Sequence, residues 1–217
     1  MRLNCKKCDM ICGSGRVRQR RSIWARETAM EKEMDGEVKQ ARKVIGKTQQ
    51  QELFKEFKTP EHVQQHCNEV ARVAVLIGEK LNEHGYHLDI DEIRGAALVH
   101  DLVRVQPDHD LRGAEILEKK GYPEEAGLVR HHMKYYPFND AANVDEQDIL
   151  CLADRVVKEN HYVGLDERMD YLIHKPGITP EKVEKILKSK EHTGQFINSL
   201  ERIMGITLDE LCSEDNN

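Results

Sequence analysis

The chain has 217 residues, enough for one domain with a sizeable core plus an extension but cramped for two full domains. Its net charge of −6 argues against a dedicated nucleic-acid binder, which needs a basic surface to meet phosphates. Charged residues make up 33% and the mean hydropathy is −0.68; no stretch approaches the roughly 20 apolar residues of a membrane helix, which excludes a membrane span.

Aromatic residues are only 5%, so core filling falls on Leu, Ile, Val, Ala and Met. The opening residues lack the apolar run of a secretory signal, and the expected location is cytoplasmic. There the cysteines at 5, 8, 12, 67, 151 and 212 read as reduced thiols rather than a disulfide framework.

In chain order, residues 1–20 stand apart, with Cys5, Cys8 and Cys12 leading into the basic run Arg16–Arg21. Cys-x-x-Cys is half of a zinc site, but three thiolates without a fourth ligand leave it incomplete, and a plain reduced tail is the alternative. Residues 27–57 are charged and helix-prone, interrupted by Gly36 and Gly46, and read as a helical lead-in. At Thr59-Pro60 the signals sharpen into an N-cap and a first-turn proline. Apolar residues then fall at 63, 67, 70, 74, 77 and 81, in steps of four and three that mark one helix face ending near Gly85.

A second helix is expected from about Asp91 into His100-Asp101, and a third over about 110–120, stopped by Gly121. Pro123 opens a fourth, reaching about Met133, and residues 134–143 read as a loop. A fifth carries Ile149, Leu152, Ala153 and Val156; Thr179-Pro180 opens a last long helix that ends at Gly205. No segment predicts a strand, so the expected fold class is all-α, a helical bundle with antiparallel neighbours.

Several ionisable residues fall on the predicted buried stripes. His66 lies three residues after Val63 and four before Val70, His100 seven after Ile93, and His132 three after Val129. Asp154 sits inside the apolar run Ile149–Val157, where a carboxylate is costly to bury unless it is paired or bound to metal. Taken singly, each such residue is more often structural. Together they ask for a compensating cation, and nitrogen and oxygen ligands suit Zn, Fe, Mn or Mg.

These blocks carry a resemblance. The segment from Thr59 to about Val157, with His66 in HCNEVARVA, the doublet in AALVHD and Asp154 in LAD, resembles the HD superfamily of metal-dependent phosphohydrolases. The resemblance implies a metal held by His66, His100, Asp101 and Asp154. A further likeness, of HDLRGAEIL from His109 and VRHH through His131 and His132, is to the subgroup written HDIG. It implies a second metal on His109 and His132, with His131 as alternative or added ligand and Asp101 as bridge. The subgroup follows its doublet with a small residue and a lysine; here Leu102, Val103 and Arg104 stand instead.

The expected organisation is a Cys/Arg-rich extension and helical lead-in at 1–58, an HD metal-binding core at 59–160, and C-terminal helices packing on that core at 161–217. The expected activity is hydrolysis of a phosphate ester or nucleotide by metal-activated water, with one or two divalent ions per chain (Fe, Mn, Zn or Mg) as cofactor. Asp101 is expected to orient or deprotonate the water, while Arg104, and more weakly Arg130 and Arg155, neutralise phosphate. The expected partner is a small phosphorylated molecule, with no membrane and no nucleic acid. One competing reading is a non-catalytic HD module that binds a nucleotide or metal. Another makes the Cys- and Arg-rich N-terminus an adaptor for nucleic acid.

Overall fold

In the computed structural model, residues 42–133 and 137–213 are described. The cysteines at 5, 8 and 12, the basic run and the first part of the helical lead-in lie outside the described residues. The chain divides into two units, residues 1–42 and 43–217, and the second holds the elements below.

Among the described residues there are nine α-helices: α1 (Lys47–Phe57), α2 (Glu61–Glu83), α3 (Ile90–Val99), α4 (His109–Lys120), α5 (Pro123–His131), α6 (Glu146–Val156), α7 (Gly164–Ile173), α8 (Pro180–Met204) and α9 (Leu208–Ser213). The fold is all-α. A 3-10 turn at Ala141–Asn143 lies in the segment expected as loop. The one departure among the described residues is a two-stranded antiparallel hairpin, β1 (Val157–Lys158) and β2 (His161–Tyr162), where no strand was expected. Strands of two residues are too short to display an alternating pattern, and Val156-Val157 reads as the continuation of a helix.

The central element is α2. Its stripe of Val63, Cys67, Val70, Ala74, Ile77 and Leu81 is buried, and each of its valine, isoleucine and leucine side chains contributes about 1.5–3 kcal/mol of transfer free energy. It packs most extensively on α3 and α6, and α4 and α5 form a hairpin that docks on α3 through α5. Leu53 and Phe54 of α1, and Phe196, Leu200 and Met204 of α8, enter the same core. None of the described helices is long and apolar enough to cross a membrane.

Local chemistry explains the ends. Asp145 and Asp148 cap α6 reciprocally, each carboxylate accepting from the other's backbone N–H at 2.9 and 3.2 Å. Thr179 caps α8 through the N–H of Lys182. Gly121 and Gly205 end α4 and α8 in left-handed backbone, where a Cβ is penalised. The expectation at Thr59 is corrected. Pro60 stands at the N-cap of α2, and the buried Thr59 hydroxyl donates instead to the Leu102 carbonyl at 2.7 Å. That carbonyl lies in the turn after the His100-Asp101 doublet, and a buried acceptor there needs a partner. The capping residue was therefore recruited to brace the turn.

Candidate metal centre

The turn begins where α3 ends. Leu102 N–H donates to Val99, Arg104 N–H to Asp101 and Gln106 N–H to Val103, all at 2.8–2.9 Å, so the chain tightens into successive turns immediately past the doublet. This carries Asp101 under α2, α5 and α6. His66 comes from the second turn of α2, Asp154 from the last turn of α6, His109 from the first residue of α4 and His132 from the end of α5.

These five side chains and that of His100 converge. His66 Nε2 lies 3.1 Å from Asp154 Oδ1 and 4.0 Å from Asp101 Oδ2. His100 Nε2 lies 3.6 Å from Asp101 Oδ2 and 3.9 Å from Asp154 Oδ1. His109 Nε2 and His132 Nε2 lie 3.1 and 3.6 Å from the other oxygen of Asp101, Oδ1. One carboxylate therefore faces two histidine pairs, one pair per oxygen. The four rings form a continuous row, with neighbouring centroids 5.2–5.4 Å apart.

The tautomers follow from the backbone. Nδ1 of His66, His100 and His132 meets the carbonyl oxygens of Glu159, Ala97 and Val129 at 2.7, 2.9 and 2.7 Å. A carbonyl only accepts, so each Nδ1 carries the hydrogen, and in the neutral ring Nε2 presents a lone pair. The Nε2 atoms of His100 and His132, with Asp101 Oδ1, are buried without a hydrogen-bond partner. Lone pairs aimed at carboxylates repel unless a cation or proton lies between them. The donor set thus fits a metal: His66, His100 and Asp101 could hold one ion, and Asp101, His109 and His132 another. Asp154 Oδ1 stands beside the first group.

Electrostatics point the same way. Burial opposes charge on His66, but the hydrogen bond and charge of Asp154, with Asp101 behind them, outweigh it and raise its pKa. His132 is raised likewise, burial being overcome by Asp101. His100 is wholly buried, and desolvation pulls it down to about 4 despite Asp101 and Asp154. Burial would raise Asp101, but His100, His109, His132 and Arg104 hold it well below the ordinary carboxylate range. Asp154 is held low by His66 and His100 against its own burial.

The remaining expected residues divide. Arg104 Nη1 lies 2.6 Å from Asp101 Oδ2. His131 is exposed, and it is His132, a residue further round the helix end, that turns inward; His131 belongs to neither donor group. Arg130 gives its guanidinium to Glu118 at 2.7 Å, and Arg155 lies over the Phe138 ring at 4.6 Å. Sequence reasoning missed the Glu159 carbonyl, since a main-chain oxygen has no sequence signature.

The sequence model of the HD domain matches residues 63–158, the span that holds all of these donors. Residues 63–158 form an HD domain. The HD superfamily is one of metal-dependent phosphohydrolases, and its domain is all-α, as here. The chain is also similar to the uncharacterized protein MJ0778 of Methanocaldococcus jannaschii, 32% identical over 72 residues. That match covers 32% of this chain and 43% of the relative, so the chain spans less than half of it. No solved structure matches the chain.

Proposed function

We propose that this HD domain is a metal-dependent phosphohydrolase of the dinuclear, HDIG-like kind, acting on a small phosphate ester or nucleotide. The observation that carries the reading is the double-sided carboxylate of Asp101, with His66 and His100 on Oδ2 and His109 and His132 on Oδ1. A carboxylate placed so is suited to bridge two ions.

His66, His100, Asp101 and Asp154 would hold one divalent ion (Fe, Mn, Zn or Mg), and Asp101, His109 and His132 the second. Such ions supply a nucleophile at neutral pH and neutralise phosphate oxygens. The protein's own groups do the rest. Asp101 accepts a hydrogen bond from the attacking water and orients it, while the backbone carbonyls behind His66, His100 and His132 keep each Nε2 aimed inward. Arg104 supplies fixed positive charge beside Asp101 for the charge that develops on phosphate oxygens.

The test is hydrolysis by the full chain, reconstituted with Mn, Fe, Zn or Mg, of a panel of phosphate monoesters, diesters and nucleotides. Metal-dependent phosphate release that is lost in Asp101→Ala is the expected result. Metal-loaded, folded protein that binds nucleotides and hydrolyses nothing would favour a regulatory binding module instead.

A further inference from the structure

A second group of charges starts at Lys158, the last residue matched by the HD model, and otherwise stands outside that segment. Around the ring of Tyr171 in α7, itself 37% exposed, gather three cations: Lys175 Nζ at 4.9 Å, Lys158 Nζ at 5.1 Å and the Arg168 guanidinium at 5.9 Å. Lys158 is neutralised by Glu167 at 3.0 Å. The other acids of α7, Asp166 and Asp170, face Lys190 of α8 at 2.8 and 3.6 Å. Arg168 and Lys175 have no carboxylate partner among the described residues, and Arg168 Nε is shielded from solvent without an acceptor.

This group adjoins the His–Asp centre. Lys158 immediately precedes Glu159, whose carbonyl holds His66 Nδ1 at 2.7 Å, and α7 packs on α6 and β1. Lys175 also feels the centre's own arginine: burial first, then the charges of Arg168 and Arg104, lower its pKa. Lys175 lies in the field of both Arg168 and Arg104, and the carboxylate that pairs with Arg104, Asp101, is shared with the histidines, which leaves positive charge that an anionic ligand would answer.

We propose that Arg168 and Lys175, together with Arg104, form a second phosphate subsite beside the His–Asp centre, so that the substrate class is a compound with two or more phosphoryl groups in a chain. The proposal rests on the phosphohydrolase reading for the fate of the first phosphoryl group. The scissile one sits at the histidines and the next on the arginines and lysine. Arginine suits this because its planar fork can meet two phosphate oxygens at once.

The test uses the full-length, manganese-loaded chain, freed of excess metal, and isothermal titration with methylenediphosphonate and with orthophosphate. The diphosphonate is not hydrolysed, so binding is read without turnover. The wild type should bind the diphosphonate at least about tenfold more tightly than orthophosphate, the order expected for one added charge-assisted contact. Arg168→Ala/Lys175→Ala should bring that preference to within about twofold while manganese content and helical circular dichroism are retained; Arg168→Lys/Lys175→Arg should keep most of it. Lys175 is exposed, so Lys175→Ala alone tests the same point if the double variant fails to fold, and should lower the preference about threefold. A wild type without preference, or variants that keep it in full, overturn the subsite. Failure of hydrolysis is separate: preference without turnover removes the enzyme reading and leaves the subsite, and turnover without preference does the reverse.

Discussion

The carbonyl oxygen of Glu159 accepts a hydrogen bond from His66 Nδ1 at 2.7 Å across 93 residues of sequence. Glu159 sits in the turn of the β hairpin with φ at 55°, a left-handed conformation that favours glycine. Glu69 anchors the hairpin from α2, its Oε1 accepting from Tyr162 N–H at 2.9 Å. The same helix that carries His66 thus holds the hairpin that orients His66.

Because the contact is made by the main chain, Glu159→Gly should keep metal affinity within about twofold and leave stability unchanged or raised by up to about 1 kcal/mol. Glu159→Pro, whose ring fixes φ near −65°, should break the turn and weaken metal binding by at least about tenfold. Titration of the metal-free variants with manganese, alongside thermal melts, checks both. Equal loss in the two variants would assign the effect to the carboxylate instead.

The two histidine pairs on Asp101 should be separable. His109→Ala is expected to bind one ion per chain where the wild type binds two, with the group around His66 still filled. His66→Ala should lose the complementary ion. Elemental analysis of protein dialysed against a fixed metal concentration reads the stoichiometry, and His109→Ala protein that keeps two ions would contradict the division.

Protons and metal compete for the same nitrogens. His66 and His132 have pKa values raised above the ordinary 6.5, so in the metal-free protein each takes up a proton as pH falls through its raised value. A metal must then displace those protons, and its affinity should fall by up to about a hundredfold per pH unit on the acid side, one factor of ten per proton. His100, pulled down to about 4, stays neutral through this window and adds nothing to the slope. Manganese titrations between pH 8 and 5.5 should show affinity rising with pH and levelling above it. A flat profile would mean that neither histidine is a ligand.

Cys67 follows His66 directly and is fully buried, and Cys151 is nearly so. Burial pushes the Cys151 thiol up to about 12 and that of Cys67 well above its usual value. The thiolate is the reactive form, so neither should be alkylated by iodoacetamide at pH 8 in the native protein, and both should be after unfolding in urea. Peptide-resolved mass spectrometry separates them from the other cysteines. Native labelling of Cys67 would show that α2 opens beside the metal centre.

Much of this was legible in the sequence because the apolar stripes are regular. Steps of three and four from Val63 to Leu81 fix the buried face of α2, and His66 borders it. Asp154 announced itself by its apolar neighbours, and the geometry does bring it to His66. His131 and His132 were harder. Adjacent residues on one helix differ by about 100° in direction, and only the packing of α5 on α3 decides which turns inward. Arg130 and Arg155 lie within two residues of His132 and Asp154, yet Glu118 and Phe138 take their guanidinium groups. The hairpin and α7 left little trace, being short or weakly apolar, and with them went the Glu159 carbonyl and the cations around Tyr171.

The most direct test of the central claim is crystallography of the full chain grown with manganese, with anomalous scattering recorded at the metal edge. Two peaks per chain are expected, roughly 3.5–4 Å apart, one on each oxygen of Asp101; Asp101→Ala should lose both while the helices stay in place. Density in which Asp101 and Asp154 bind only protonated His66 and His132 at saturating manganese, with no anomalous peak, would contradict it.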